Sequence, residues 1–210
     1  MGSGWGRYEV TVGEFRRFVE ETGYKGNGIN YWGCAGMADP NFSQDDNHPV
    51  VCVSWNEAKA FAKWLSKKTG HKFRLPTEAE WEYACRNGGK EIKYATSTGD
   101  LSHDLANYWG KGGRDKWEYT APVGSFPPNV GIYDMCGNVW EWCEDWYDKN
   151  YYGRSPKNDP QGPKNGKYRV LRGSSWNGGP WIMRCALRSG YVPGSREDDV
   201  GFRLVRLSGQ

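Results

Sequence analysis

The chain has 210 residues, 37% of them hydrophobic and 15% aromatic, and a formal net charge of +3. That length suits one domain, residues 1–210, because a single core grows to roughly 250 residues before it splits. The balanced charge argues against a nucleic-acid partner, no apolar run approaches the roughly 20 residues that span a bilayer, and the richness in rings argues against disorder.

With 12 Trp and 13 Tyr, a core needs few residues, since each buried ring removes roughly 150–250 Å² from water. The 29 Gly and 11 Pro imply a loop-rich fold. The start, Met-Gly-Ser-Gly, reads as a trimmed or engineered end, so the lack of a visible signal peptide does not bear on compartment.

The first expected helix runs from about Thr11 to Thr22. Thr11 and Glu14 form a capping box, Phe15, Phe18 and Val19 line one face, and Gly23 stops it. Pro49-Val50-Val51-Cys52-Val53 reads as a buried strand or extended segment leading into a second helix. That helix starts at Ser54 with Glu57 as its box partner, carries Ala58, Phe61, Ala62 and Leu65 at helical spacing, and ends at Gly70. A third starts at Thr77, with Glu80 completing the box and Trp81, Ala84 and Cys85 forming its buried stripe. Short clusters such as Arg16-Arg17 and Lys67-Lys68 read as solvated helix faces.

Beyond about Arg86 helical periodicity fades. Extended runs survive at Trp140-Glu141-Trp142, Arg169–Gly173 and Gly201–Val205. The long segments between them need an external tie, such as a metal, or a function. Of the six cysteines, Cys52, Cys85, Cys136, Cys143 and Cys185 read as buried, reduced, small hydrophobes. Cys34, in a glycine-rich loop, is either exposed or paired with Cys52. No CxxC spacing points to zinc or a thioredoxin-like centre.

An ordered set of phrases now stands out: Tyr8-Glu-Val-Thr11, His48-Pro-Val-Val51, Val53-Ser-Trp-Asn-Glu-Ala58 and Arg74-Leu-Pro-Thr-Glu-Ala-Glu-Trp-Glu-Tyr-Ala84, then Gly131-Ile-Tyr-Asp-Met-Cys-Gly-Asn-Val-Trp-Glu-Trp142, Arg172-Gly-Ser-Ser-Trp176 and Gly201-Phe-Arg203. From about Arg7 to Val205 the chain resembles the formylglycine-generating enzyme (sulfatase-modifying factor) family. The resemblance implies an α+β, C-type-lectin-like fold with little regular secondary structure, with the family's first strand missing or replaced by the short N-terminus.

Those enzymes use two cysteines after the Gly-Gly-Ser phrase to hold copper and oxidise a substrate cysteine, and soft thiolates select Cu(I). Here Gly178 stands where the first is expected, the second has no counterpart, and Cys185 matches a non-catalytic position. We therefore expect no enzyme activity, no catalytic residues and no copper. His48, His71 and His103 are too dispersed for the histidine triad of the iron-dependent sulfoxide-synthase relatives.

The chain also resembles the variable proteins of diversity-generating retroelements, which use this fold to display a hypervariable C-terminal surface. The window from about 178 to 199 fits that picture. Gly178, Gly179, Ile182, Leu187, Ser189, Gly190, Tyr191, Val192, Gly194, Ser195, Asp198 and Asp199 are its candidate ligand-binding residues. They lie in a frame of Trp176, Pro180, Trp181, Met183-Arg184-Cys185, Arg188, Pro193, Arg196 and Gly201-Phe202-Arg203. The candidates are reachable from an Asn codon by adenine changes alone; Trp181 and Met183 are not. Ile182, Leu187, Tyr191 and Val192 are expected to form an exposed patch for a protein ligand, with Tyr191 as anchor. The alternative is a sulfatase-modifying-factor-like enzyme or accessory protein.

The resemblance further implies calcium at two sites. One would use the side chains of Asn107 and Asp115 with the carbonyls of Tyr108 and Trp117. The other would use the side chains of Asp134 and Glu141 with the carbonyls of Gly137 and Val139. Both sets offer the hard oxygen donors that calcium takes. Arg114 and Lys116 are the candidates for neutralising Asp115 without metal.

Overall fold

The computed structural model describes residues 4–207; the Met1–Ser3 part of the end read as trimmed lies outside them. Three helices form where the capping boxes place them: α1 Val12–Thr22, α2 Trp55–Thr69 and α3 Glu78–Cys85. In each box the N-cap side chain (Thr11, Ser54, Thr77) accepts from the N3 main chain, and the N3 glutamate accepts in return from the N-cap N–H. Two otherwise orphaned donors per helix are thereby satisfied. Gly23 and Gly70, at φ of 63° and 73°, supply the left-handed stops of α1 and α2.

The strands are short: β1 Gly4–Trp5, β2 Ile29–Asn30, β3 Cys34–Gly36, β4 Asp39–Pro40, β5 Phe73–Arg74, β6 Trp140–Trp146, β7 Arg169–Arg172, β8 Ser189–Tyr191, β9 Ser195–Arg196, β10 Val200–Gly201 and β11 Val205–Arg206. The main sheet runs β10-β6-β7-β8, with Glu141 opposite Arg172 and Leu171 opposite Ser189. A second sheet, β1-β11-β5, joins the first and last strands to the segment between α2 and α3. Its β1, Gly4–Trp5, is a brief strand in the short N-terminus, where the family's first strand was expected to be missing or replaced.

Two of the expected extended runs sit at the junctions between elements. Pro49–Val53 is deeply buried and extended but makes only an isolated bridge from Pro49 to Thr11. Its N–H groups donate instead to Val10 and Glu197 carbonyls, at Val50 and Cys52 (both 2.9 Å). Cys52 sits at φ 55°, which turns the chain out of any ladder. Gly201–Val205 splits between two sheets, with Phe202 and Arg203 fully buried at the crossover. A Cβ on Gly201 would lie 2.5 Å from the Val50 carbonyl, so the crossing requires glycine.

One core cluster joins Phe15 and Phe18 of α1 to Phe61 of α2, Trp142 of β6 and Phe202. The other gathers Trp81, Met135, Cys143, Val170 and Met183 behind the main sheet. Between α3 and β6 lie over fifty residues without helix or strand. They are pinned by single contacts, as where Asp115 donates to the His103 carbonyl (2.8 Å) and Asn138 to that of Asn107 (2.9 Å). Among the described residues no helix is long and apolar enough to cross a membrane.

Candidate binding surface and metal centres

Cys34 is joined to Cys52 and Cys85 to Cys185. Cys34 is thus paired rather than free, and Cys52, Cys85 and Cys185 are not the reduced thiols that the sequence suggested. The Cys85–Cys185 bond spans 100 positions. It forms because the buried stripe of α3 faces the turn after Met183, an approach that no local pattern signals. Cys136 and Cys143 remain free and buried. Burial pushes the Cys136 thiol up to about 12 and the Cys143 thiol well above its ordinary value. Neither is a thiolate at neutral pH, and thiolate is the reactive, metal-binding form.

The segment after β7 turns sharply at Gly173 and Ser174, both with positive φ. Gly178 and Gly179 are buried beneath it. A Cβ on Gly178 would collide with the Ser174 hydroxyl, and one on Gly179 with the Trp181 ring. Ser195 is buried too, while Ile182, Leu187, Ser189, Gly190, Val192, Gly194, Asp198 and Asp199 are half-buried. The expectation of a uniformly solvent-facing window therefore fails at Gly178, Gly179 and Ser195. It is met fully only at Tyr191, which is 40% exposed. Packing against β7 and the loop beneath explains this, because alternate positions of so short a segment must face inward.

Other residues complete the surface. Trp181, placed in the frame around the candidate residues, is 68% exposed. Trp109, 65% exposed, is brought beside it by a hydrogen bond from its N–H to the Gly178 carbonyl (3.0 Å). Trp32, 83% exposed, arrives from the opposite end of the sequence. The parallel pairing of β2 with β9 carries it there, and its carbonyl accepts from the Asp198 N–H (3.2 Å). Phe42, Tyr119 and Trp176 pack as rings between these points. The sequence gives no periodic signal for Trp32 or Trp109; unexplained tryptophans in glycine-rich loops were the only hint.

Behind Glu197-Asp198-Asp199 the electrostatics are distinctive. Burial, with Asp199 beside it, raises the Glu197 carboxyl to about 7. Asp199 is raised by burial to about 6 although it accepts from the Ser175 hydroxyl (2.8 Å). Asp198 is raised by burial as well.

At the first expected calcium site Asn107 and Asp115 do meet. The Asn107 amide donates to Asp115 Oδ1 (3.2 Å), while Asn107 Oδ1 is buried without a partner. An orphaned amide oxygen beside a buried carboxylate is the donor chemistry that a hard cation requires. The Trp117 N–H also donates to Asp115 (3.3 Å), and Tyr108 stacks on His103 at 4.0 Å. Asp115 Oδ2 lies in hydrogen-bond contact with His103 Nδ1 (3.1 Å), and among the described residues neither Arg114 nor Lys116 pairs with it.

At the second, Asp134 accepts from the Gly124 N–H (2.7 Å) and is raised by burial to about 6. Gly137 packs so closely on the Asn107 carbonyl that no side chain fits, and Val139 is buried. Glu141 is already engaged: Arg203 donates to both its oxygens (2.7 and 2.6 Å), and the Trp81 indole donates to one (2.8 Å). Glu9, missed from sequence, adds a third buried carboxyl 3.9 Å from Arg203, with Oε2 lacking a hydrogen bond. Glu141 would have to be shared with Arg203, and among the described residues no group of three or more His, Cys, Asp or Glu is placed to hold a metal ion.

The chain matches the family "Sulfatase-modifying factor enzyme 1-like domain" over residues 5–208. It is 43% identical over 171 residues to the formylglycine-generating enzyme of Streptomyces coelicolor, covering 76% of this chain and 52% of that protein. It spans between a quarter and about half the length of the first curated relatives it matches. Pseudomonas aeruginosa PvdO superposes with a TM-score of 0.83 at 34% identity, over 97% of this chain and 80% of that one. Treponema denticola variable protein 1 superposes with a TM-score of 0.75 at 30% identity, over 96% and 83%. The capping boxes, the Gly-Asn-Val-Trp-Glu-Trp strand, the C-type-lectin-like α+β fold and these similarities together place the chain in the sulfatase-modifying factor family.

Proposed function

We propose that the chain is a non-catalytic ligand-binding protein whose surface is built on residues 178–199 and completed by Trp32 and Trp109. The disposition of its cysteines carries this reading. Four are in disulfides, and the remaining two are buried and held protonated. The position where the resemblance puts the first catalytic cysteine is Gly178, where a Cβ would force the Ser174 hydroxyl to move. The similarity to Treponema denticola variable protein 1 supports display of a ligand surface on this scaffold. A broad, partly aromatic surface suits a protein ligand. Calcium at the Asn107–Asp115 centre, and with Glu9 at the Asp134–Glu141 centre, would stiffen the irregular half beneath it.

The competing reading is a formylglycine-generating enzyme or its accessory, favoured by the 43% identity to a relative of that name. Incubation with a cysteine-containing sulfatase-type peptide, with and without copper, separates the two by mass spectrometry. We expect the peptide to be recovered unchanged; conversion of its cysteine to formylglycine would remove the non-catalytic reading.

A further inference from the structure

Resting on that binding reading, we infer that the face formed by Trp32, Tyr191 and the carboxylates of residues 197–199 docks a cationic protein segment bearing arginine or lysine. The protein as a whole is positive, at +3. Several of its buried or half-buried carboxylates are paired with its own cations: Glu57 with Arg196, Glu78 with Arg172 and Arg188, Glu80 with Arg74, Glu141 with Arg203. Glu197, Asp198 and Asp199 instead form a contiguous run of three in which, among the described residues, none has an ion-pair partner. Arg196, adjacent in sequence, is committed to Glu57 and Asn30.

Beside this run stands the most exposed of the large hydrophobic side chains, Trp32. Its position is built rather than incidental. β2 pairs with β9, the Asp198 N–H donates to the Trp32 carbonyl, and the Asp198 carboxylate packs against Gly33 so closely that any other residue there would clash. The Trp176 indole lies within 3.5 Å of the Asp198 carbonyl from the other side. Burial raises the Tyr191 hydroxyl above its ordinary value, and the charges of Asp199 and Glu197 add to that.

An exposed indole next to unneutralised carboxylates complements a guanidinium or ammonium on a methylene stem. The ring face takes the stem and the cation, and the carboxylates take the charge. An anionic or purely aliphatic partner would leave the carboxylates buried without compensation. A neutral sugar would use the ring but not the charge.

The probe is a fluorescein-labelled octapeptide with four arginines, its citrulline counterpart and a glutamate counterpart, titrated by anisotropy with the whole chain. Because the protein is net positive, binding of the arginine peptide cannot come from bulk attraction. We expect the arginine peptide to bind and the other two to bind at least ten-fold more weakly. Trp32→Ala should weaken binding about five- to ten-fold, as should Asp198→Asn, while Asp159→Asn on a distant loop leaves it unchanged. Trp32 is a surface side chain and Asn is isosteric with Asp, so both variants should fold, as near-UV circular dichroism checks. Equal binding of all three peptides, or affinities untouched by both substitutions, would sink the inference. So would self-association of the chain that Trp32→Ala abolishes, which would assign the face to a second copy. None of these outcomes depends on the peptide-oxidation assay, so the two readings fail separately.

Discussion

Residues 11–86 and residues 87–207 are held together by different means. The first region is written locally: three capping boxes, apolar stripes at helical spacing and glycine stops. Its buried carboxylates, Glu57 and Glu78, are paired. Burial alone would raise Glu57, Glu80 and Glu82, yet hydrogen bonds and charge from Arg196, Arg74 and Arg172 hold all three below their ordinary value. In the second region the corresponding groups, Asp145, Glu197 and Asp199, are raised by burial to about 7, about 7 and about 6. The irregular region supplies Arg196, Arg172 and Arg188 to the carboxylates of the helical region, while some of its own carboxyls stay uncompensated and it relies on distant covalent and ionic ties. A binding face built there inherits the unspent charge.

The sharpest way to break that contrast is to cut the longest tie. Cys85→Ser with Cys185→Ser opens a connection across 100 positions, which chain entropy values at about 4–5 kcal/mol. Opening Cys34–Cys52, across 18 positions, should cost nearer 3 kcal/mol. Urea unfolding of both double variants gives the order, and a larger loss from the short loop would overturn the assignment of the long one as the main staple.

Arg203→Met comes next. It strands Glu141 and Glu9 in the interior, where removing one partner of a buried pair costs about 3–5 kcal/mol. A loss under 1 kcal/mol would mean that the cluster relaxes or takes up solvent. Saturating calcium, at about a hundred times its Kd, should raise stability by about 2.7 kcal/mol. Asn107→Ala should remove part of that gain; an unchanged melting midpoint with calcium and with chelator would eliminate both centres.

The pH profile sharpens the same comparison. Asp145, Glu197 and Asp199 keep protons in the folded chain that the unfolded chain has released by about pH 4–5. More protons are bound folded than unfolded, so stability falls as pH rises from about 4 to about 7. The lowered Glu57, Glu80 and Glu82 act oppositely: their contribution is present above about pH 4.5 and is lost below it. The melting midpoint should therefore peak near pH 5, and a maximum at pH 8 would contradict the raised carboxyls. The smallest effect belongs to the helical region: Thr11→Ala, which removes one half of a capping box, should cost about 1 kcal/mol.

The sequence by itself determined the helices within a residue of their observed ends, because capping and amphipathic spacing are local interactions. It also determined β6 and β7, the family and the Asn107–Asp115 proximity, which its motifs carried. Only the tertiary structure decided the disulfide from Cys85 to Cys185, the entry of Glu9 into the Arg203 cluster, and the division of Gly201–Val205 between two sheets. It alone brought Trp32 and Trp109 to the 178–199 segment and buried Gly178, Gly179 and Ser195 beneath it. The physical reason is range. A cap or a stripe is satisfied within four residues of itself, whereas a loop of polar and aromatic residues has no periodic energy of its own. Its position is set by whichever remote cysteine, carboxylate or ring the rest of the chain brings within reach.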